Sequence, residues 1–82
     1  MEDYQIQAVK ELIELLEAHD DFDMKYNDLD NTIETTLDED TEIATITLNG
    51  EAVCDYSYSG FGAFPTACDE MLLDEALTVI KC

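Results

Sequence analysis

Residues 42–58, EIATITLNGEAVCDYSY, decide the fold. Two alternating runs, 42–48 and 51–58, flank Asn49-Gly50. Asn-Gly between alternating strands marks a tight hairpin, because both turn positions need positive φ. A two-residue loop pairs Leu48 with Glu51 and Ile46 with Val53. Regular alternation then places Ala44, Ile46, Leu48, Val53 and Asp55 on one face. Ile43, Thr45, Thr47, Ala52, Cys54, Tyr56 and Tyr58 take the other. The aliphatic set is expected to lie under helices, and the Thr/Tyr set to face outward.

The neighbouring segments extend this unit. Residues 32–37, TIETTL, alternate and are β-branched, which predicts a third strand with Ile33, Thr35 and Leu37 on one face. Asp38, Glu39 and Asp40 form a tight acidic turn between strands. Upstream, Ile6, Val9, Leu12, Ile13 and Leu16 recur at helical spacing and predict a helix over 4–19, with Asp3 as its cap. Its opposite side carries Asp3, Glu11, Glu14, Glu17 and Asp21, with Gln7 and Lys10 among them. Residues 20–31, DDFDMKYNDLDN, read as an acidic loop, although Phe22, Met24 and Tyr26 alternate as in a short strand. Residues 59–65, SGFGAFP, read as a second loop. Thr66 then opens a second helix, with Asp69 three residues on in the manner of a capping box. Leu72, Leu73, Ala76, Val79 and Ile80 form its apolar stripe, and Glu70 and Asp74 its outer face. The expectation is an α+β domain over residues 1–82: helix, three-stranded antiparallel meander, helix (αβββα), with both helices on one face of the sheet.

The charge is the anomaly. Among 82 residues, 21 acids face three lysines and no arginine, giving a net charge of −18. Such charges repel one another in a compact domain, and about 2–8 net charges suffice for solubility. The excess therefore points to a basic partner, and away from nucleic acid and anionic membrane. Mutual repulsion also predicts clustered carboxylates that hold their protons more tightly than in the unfolded chain. Cys54, Cys68 and Cys82 make an odd count with no close pair, which reads as reduced thiols in a cytoplasm. The absence of a basic-then-apolar leader and of a long apolar run supports the same location.

Catalysis finds little footing. His19 stands alone at the end of the first helix, and Cys54 has no sequence-local activating base. Calcium loops of the EF-hand type fail, because Lys25 falls at a ligand position when counting starts at Asp21, and Ile33 replaces the required glycine when it starts at Asp28. No Cys/His pair has zinc spacing. The expectation is a non-enzyme without metal or cofactor.

What remains is the acidic surface. Residues 17–42 hold eleven acids and one lysine. Carboxylates three or four apart on a helix lie about 5–6 Å from one another, and same-face strand residues lie about 6.6 Å apart. A rigid domain can thus imitate the phosphates of duplex DNA, one charge per ~1.7 Å of axis, and enter a Lys/Arg groove built for them. The candidate contact residues are Glu14, Glu17, Asp20, Asp21, Asp23, Asp28, Asp30, Glu34, Asp38, Glu39, Asp40 and Glu42, with Tyr56, Tyr58 and Phe61 as an apolar anchor beside them. Phe61 and Phe64 also fit core packing at the entrance to the second helix.

In layout, size and acid load the chain resembles the small anti-CRISPR proteins of phages, some of which are acidic domains seated in a nuclease's DNA channel. It is similar as well to the acidic phage inhibitors of uracil-DNA glycosylase and of restriction enzymes. The resemblance lies in arrangement and charge rather than in a motif. It implies a phage or prophage origin, no cofactor, and a host Cas effector or other DNA-binding enzyme as target. The chain itself is expected to be a monomer or weak homodimer. Two other readings stand beside it: an acidic interaction module for a different basic partner, and a weak divalent-cation-binding domain.

Overall fold

The computed structural model describes residues 2–19, 25–28, 30–58 and 64–81, residue 64 by its backbone alone. Helix α1 spans Asp3–His19 and buries Val9, Leu12, Ile13 and Leu16, the face their spacing predicts. Its cap is Glu2 rather than Asp3. The Glu2 carbonyl accepts from the N–H groups of Gln5 and Ile6 at 3.0 and 3.2 Å. The Glu2 N–H donates to Gln5 Oε1 at 2.9 Å, the returning half of a capping box. Asp3 sits in the first turn, where the helix dipole favours a negative charge.

The described residues form five strands, not the three expected: β1 (Lys25–Asn27), β2 (Thr32–Asp38), β3 (Ile43–Leu48), β4 (Glu51–Ser57) and β5 (Phe64–Cys68). They make one antiparallel sheet in chain order. Both added strands are short edges in segments read as loop or helix start. Strand β1 is held by what Tyr26 touches. Its hydroxyl donates to the Val79 carbonyl at 3.5 Å, and its ring meets His19 edge-on at 4.9 Å. Strand β5 contains Pro65, which lacks a backbone donor and is tolerated at a sheet edge.

The second helix, α2, spans Glu70–Lys81, so Thr66 does not open it. Thr66 lies in β5, where its hydroxyl donates to the Asp55 carbonyl at 3.4 Å. The cap is Asp69: its side chain accepts the Leu72 N–H at 3.1 Å, and its carbonyl accepts the Leu73 N–H at 2.8 Å. A short carboxylate side chain ahead of the first turn satisfies an otherwise orphaned donor. Helix α2 buries Leu73, Ala76, Leu77 and Ile80. Leu77 joins the stripe, while Leu72 and Val79 are half-buried at its margins.

The hairpin turn is as expected, with φ of 54° at Asn49 and 88° at Gly50. The pairing beyond it is not. Thr47 faces Ala52, but Ile46 faces Cys54, so Val53 is an extra residue in a β-bulge. The bulge reverses inside and outside for the rest of β4. Cys54 and Tyr56 turn into the core, at 3 % and 4 % exposure, and Asp55 turns out. Regular pairing would have pushed the Asp55 carboxylate against Ile46 and Ala44. An unpaired buried charge there would cost several kcal/mol. Instead Asp55 sits opposite Thr45 and accepts its hydroxyl at 2.7 Å. A second bulge follows, with Asp55 opposite Ala67 and Tyr56 opposite Pro65, leaving Thr66 as the extra residue.

Both helices cover the face that carries Ile33, Ala44, Ile46, Leu48, Val53, Cys54 and Tyr56, forming a single core. No polar or charged residue is buried among those described. Strand β2 departs from expectation at its far end. Ile33 is fully buried and Thr35 half-buried, but Leu37 is 56 % exposed, beyond the cover of the helices. The Thr35 hydroxyl oxygen is buried without a hydrogen-bond partner.

Candidate partner-binding surface

Eighteen of the acids lie among the described residues, and all but Asp55 are exposed. Among the described residues there is one ion pair, Lys81 with Glu11 at 2.8 Å, joining α2 to α1. Lys25 stands opposite Glu34 in the β1–β2 register. The described carboxylates therefore face solvent with few neighbouring counter-charges.

The fold divides the expected cluster. Glu14 and Glu17 lie on the exposed side of α1, in the helical layer. Glu34 and Asp38 alternate with Ile33 along β2, so they project from the sheet face away from the helices. Asp28 and Asp30 lie at the start of β2 and Asp38–Glu42 at its end, about 20 Å apart for a strand of this length. Asp20, Asp21, Asp23 and Phe61 lie outside the described residues. Two lines of charge result: one along α1 through Glu11, Glu14 and Glu17, and one along β2 from Asp30 through Glu34 to Asp40.

The two ends of the β2 line are built differently. At its start, the Asp28 N–H donates to the Asn31 carbonyl at 2.9 Å. Asp28 Oδ1 accepts the N–H groups of Asp30 and Asn31 at 2.8 and 2.6 Å. Those two backbone donors, Asp30 first, hold the Asp28 carboxyl below its ordinary pKa. That opposes the rise expected from repulsion. Asp28 is thus engaged by its own loop, and Asp30 carries the free charge there. Asn49 locks this end, with its Oδ1 accepting the Thr32 N–H at 2.8 Å and its Nδ2 donating to Asn31 Oδ1 at 3.0 Å.

At the other end, Asp38 Oδ1 accepts the N–H groups of Asp40 and Thr41, at 3.0 and 3.4 Å. Glu42 closes the turn with a positive φ of 58°. Tyr58 straps the turn down: its N–H donates to the Glu42 carbonyl at 3.2 Å, and its hydroxyl to the Asp38 carbonyl at 3.1 Å. Partial burial, then the nearby Glu39, Glu42 and Asp38 carboxylates, raise the Tyr58 phenol above its ordinary pKa. Tyr58 is therefore a support for the acidic turn. Tyr56 is in the core and reaches no partner surface. Burial raises its phenol as well.

The apolar residue beside the acids is Leu37, which the alternation assigned to the core. It is more than half exposed and directly precedes the Asp38–Glu42 turn. Its exposure has no sequence signal, because it depends on how far the helices extend over the sheet. Among the described residues, no three His, Cys, Asp or Glu side chains are grouped to hold a metal ion. No helix among the described residues is long and apolar enough to cross a membrane. Compared with known protein families, curated proteins and solved structures, the chain matches none.

Proposed function

We propose that the chain is a non-enzymatic DNA mimic: an acidic domain that occupies the basic DNA-binding groove of a nuclease, of the kind inhibited by anti-CRISPR proteins. The observation that carries this reading is charge per length. The longest dimension of the molecule is 34 Å, about one turn of duplex DNA. Duplex of that length carries about 20 phosphate charges, and the chain carries a net −18. All the described acids but Asp55 are exposed, and among the described residues one ion pair compensates them, which supports a far field like that of a short duplex.

The β2 line and the Asp38–Glu42 turn are the proposed contact. The turn is fixed by Tyr58 and its own side-chain hydrogen bonds, so little freedom is lost on binding. Leu37 offers an apolar contact at the same end. Long-range attraction to a Lys/Arg groove would make association fast and strongly salt-dependent. The proposed setting is the cytoplasm of a phage host cell, with no cofactor.

The test is competition. DNA-binding nucleases, Cas effectors included, are loaded with labelled duplex and titrated with the chain. Loss of DNA from one of them, with a matching chain–nuclease complex, supports the reading. A ternary complex that retains DNA contradicts it. Tight binding only to basic proteins that do not handle DNA would make the chain an acidic interaction module instead.

A further inference from the structure

Cys54 and Cys68 are separated widely in the chain, and their spacing alone pairs them with nothing. The sheet brings them together. They are direct Cα partners across β4 and β5. The Asp69 N–H donates to the Val53 carbonyl at 2.8 Å, which links the residue after Cys68 to the residue before Cys54. In an antiparallel ladder that bond flanks a non-hydrogen-bonded pair, whose Cα atoms lie about 4.5 Å apart with their side chains close on one face. Disulfides span Cα separations of about 4.4–6.8 Å. The β4 bulge creates this arrangement, since it turns Cys54 to the side that Cys68 shares.

The pair is also reachable. Cys54 is buried, but Cys68 is only half-buried on the edge strand. An open cleft of about 160 Å³ is lined by both cysteines together with Ala52, Ala67 and Asp69.

We infer that Cys54 and Cys68 are a thiol–disulfide modification site whose chemical partner is a small-molecule disulfide. Cys68 loses its proton to solvent, and its thiolate attacks one sulfur of the small disulfide. The S–S bond of the reagent breaks, and the first thiolate leaves and takes up a proton. Cys54 then gives up its proton and attacks Cys68 Sγ, which breaks the mixed disulfide and releases the second thiolate to be protonated. Two protein thiols are oxidised, and the small disulfide is reduced to two thiols.

The surroundings set the rate. Burial, then the neighbouring Cys68 and Asp55, push the Cys54 thiol up to about 12. Burial and the carboxylates of Asp69, Glu70 and Asp74 raise Cys68 too. Exchange needs the thiolate, so oxidation is slow at neutral pH and quickens as pH rises. The negative field also favours a cationic disulfide such as cystamine over an anionic one such as glutathione disulfide. The bridge closes a loop of about 15 residues and ties the edge strand to β4, which limits the unfolded chain.

The reduced chain carrying Cys82→Ser, which removes the third thiol, is treated with cystamine at mildly alkaline pH, then acid-quenched. The expected result is a fall from two titratable thiols to none, a mass loss of two hydrogens with no retained adduct, and a peptide linking residues 54 and 68. The melting temperature should rise by about 10 °C and return on reduction. Glutathione disulfide at equal concentration should react more slowly. Two surviving thiols, or a stable cysteamine adduct on this variant, would each overturn the inference. The wild-type chain should form the same bridge and retain at most one cysteamine, on Cys82; a bridge to Cys82 instead would contradict the site. Cys54→Ser should trap the adduct on Cys68. Should that variant fail to fold, Cys68→Ser should show neither bridge nor gain in melting temperature; a gain would count against the site.

Discussion

Thr45 donates its hydroxyl to Asp55 at 2.7 Å across β3 and β4, a pairing that exists because Val53 bulges out of the ladder. The hydrogen bond anchors the one described acid that is not fully at the surface. Thr45→Val should lower stability by about 1 kcal/mol, since the carboxylate loses a donor while half-buried. Thr47→Val, which removes a hydroxyl donating to the Glu34 carbonyl at 3.5 Å, should change stability less. Urea denaturation of the two variants checks the order.

Capping gives a second test. Asp69→Ala should cost about 1 kcal/mol and lower the melting temperature by roughly 4–8 °C. Thr66→Ala should have a smaller effect, because Thr66 sits in an exposed edge bulge with one long hydrogen bond. Equal losses at the two positions would argue that α2 begins earlier than residue 70.

These two sites show what the sequence carries and what it omits. Helical spacing located α1 and α2, and Asn49-Gly50 located the central hairpin, because each signal is local. The bulges are not local. Whether Val53 is absorbed as an extra residue depends on keeping Asp55 out of the core, and that is decided by the helices packed beneath. Strand β1 rests on Tyr26 reaching Val79, 53 residues away, and β5 on pairing with β4. The acids of the candidate surface were legible as a composition. Their division into an α1 line and a β2 line was not, since the strand sends Glu34 and Asp38 away from the helices. Leu37 and Tyr56 exchanged places for the same kind of reason: one lies beyond the helical cover, and the other was turned inward by the bulge.

The buried Thr35 hydroxyl predicts a gain. It has no partner and lies on the helix-facing side of β2 between Ile33 and Leu37. Thr35→Val keeps the shape and removes an unsatisfied polar group, which should raise stability by about 1 kcal/mol. A loss, measured by thermal melting, would mean that the hydroxyl is solvated.

Two limbs of the pH profile have opposite signs. Asp28 has a folded pKa below its unfolded value. Its contribution is present above the unfolded carboxylate pKa, near 3.9, and is lost as pH falls through the folded value. Cys54 is raised from 9.0 to about 12. Its contribution is complete below pH 9.0 and is lost as pH rises towards 12. Asp28→Asn should therefore differ from wild type most near neutrality, the gap closing in strong acid. Cys54→Ala should flatten the alkaline limb. Melting curves from acid to alkali, in reductant, test both. Over the same series, added salt should raise the melting temperature by screening the exposed carboxylates.

The proposed DNA mimicry requires that the acids act as a stand-in for phosphates. The most direct measurement is the salt dependence of the chain's competition with duplex DNA for a nuclease, beside the triple variant Asp38→Asn, Glu39→Gln, Asp40→Asn. The wild-type chain should displace DNA, and the displacement should weaken steeply as salt rises. The folded triple variant should compete less well and with a shallower salt slope. A salt-independent affinity, an unchanged triple variant, or simultaneous binding of chain and DNA would contradict it.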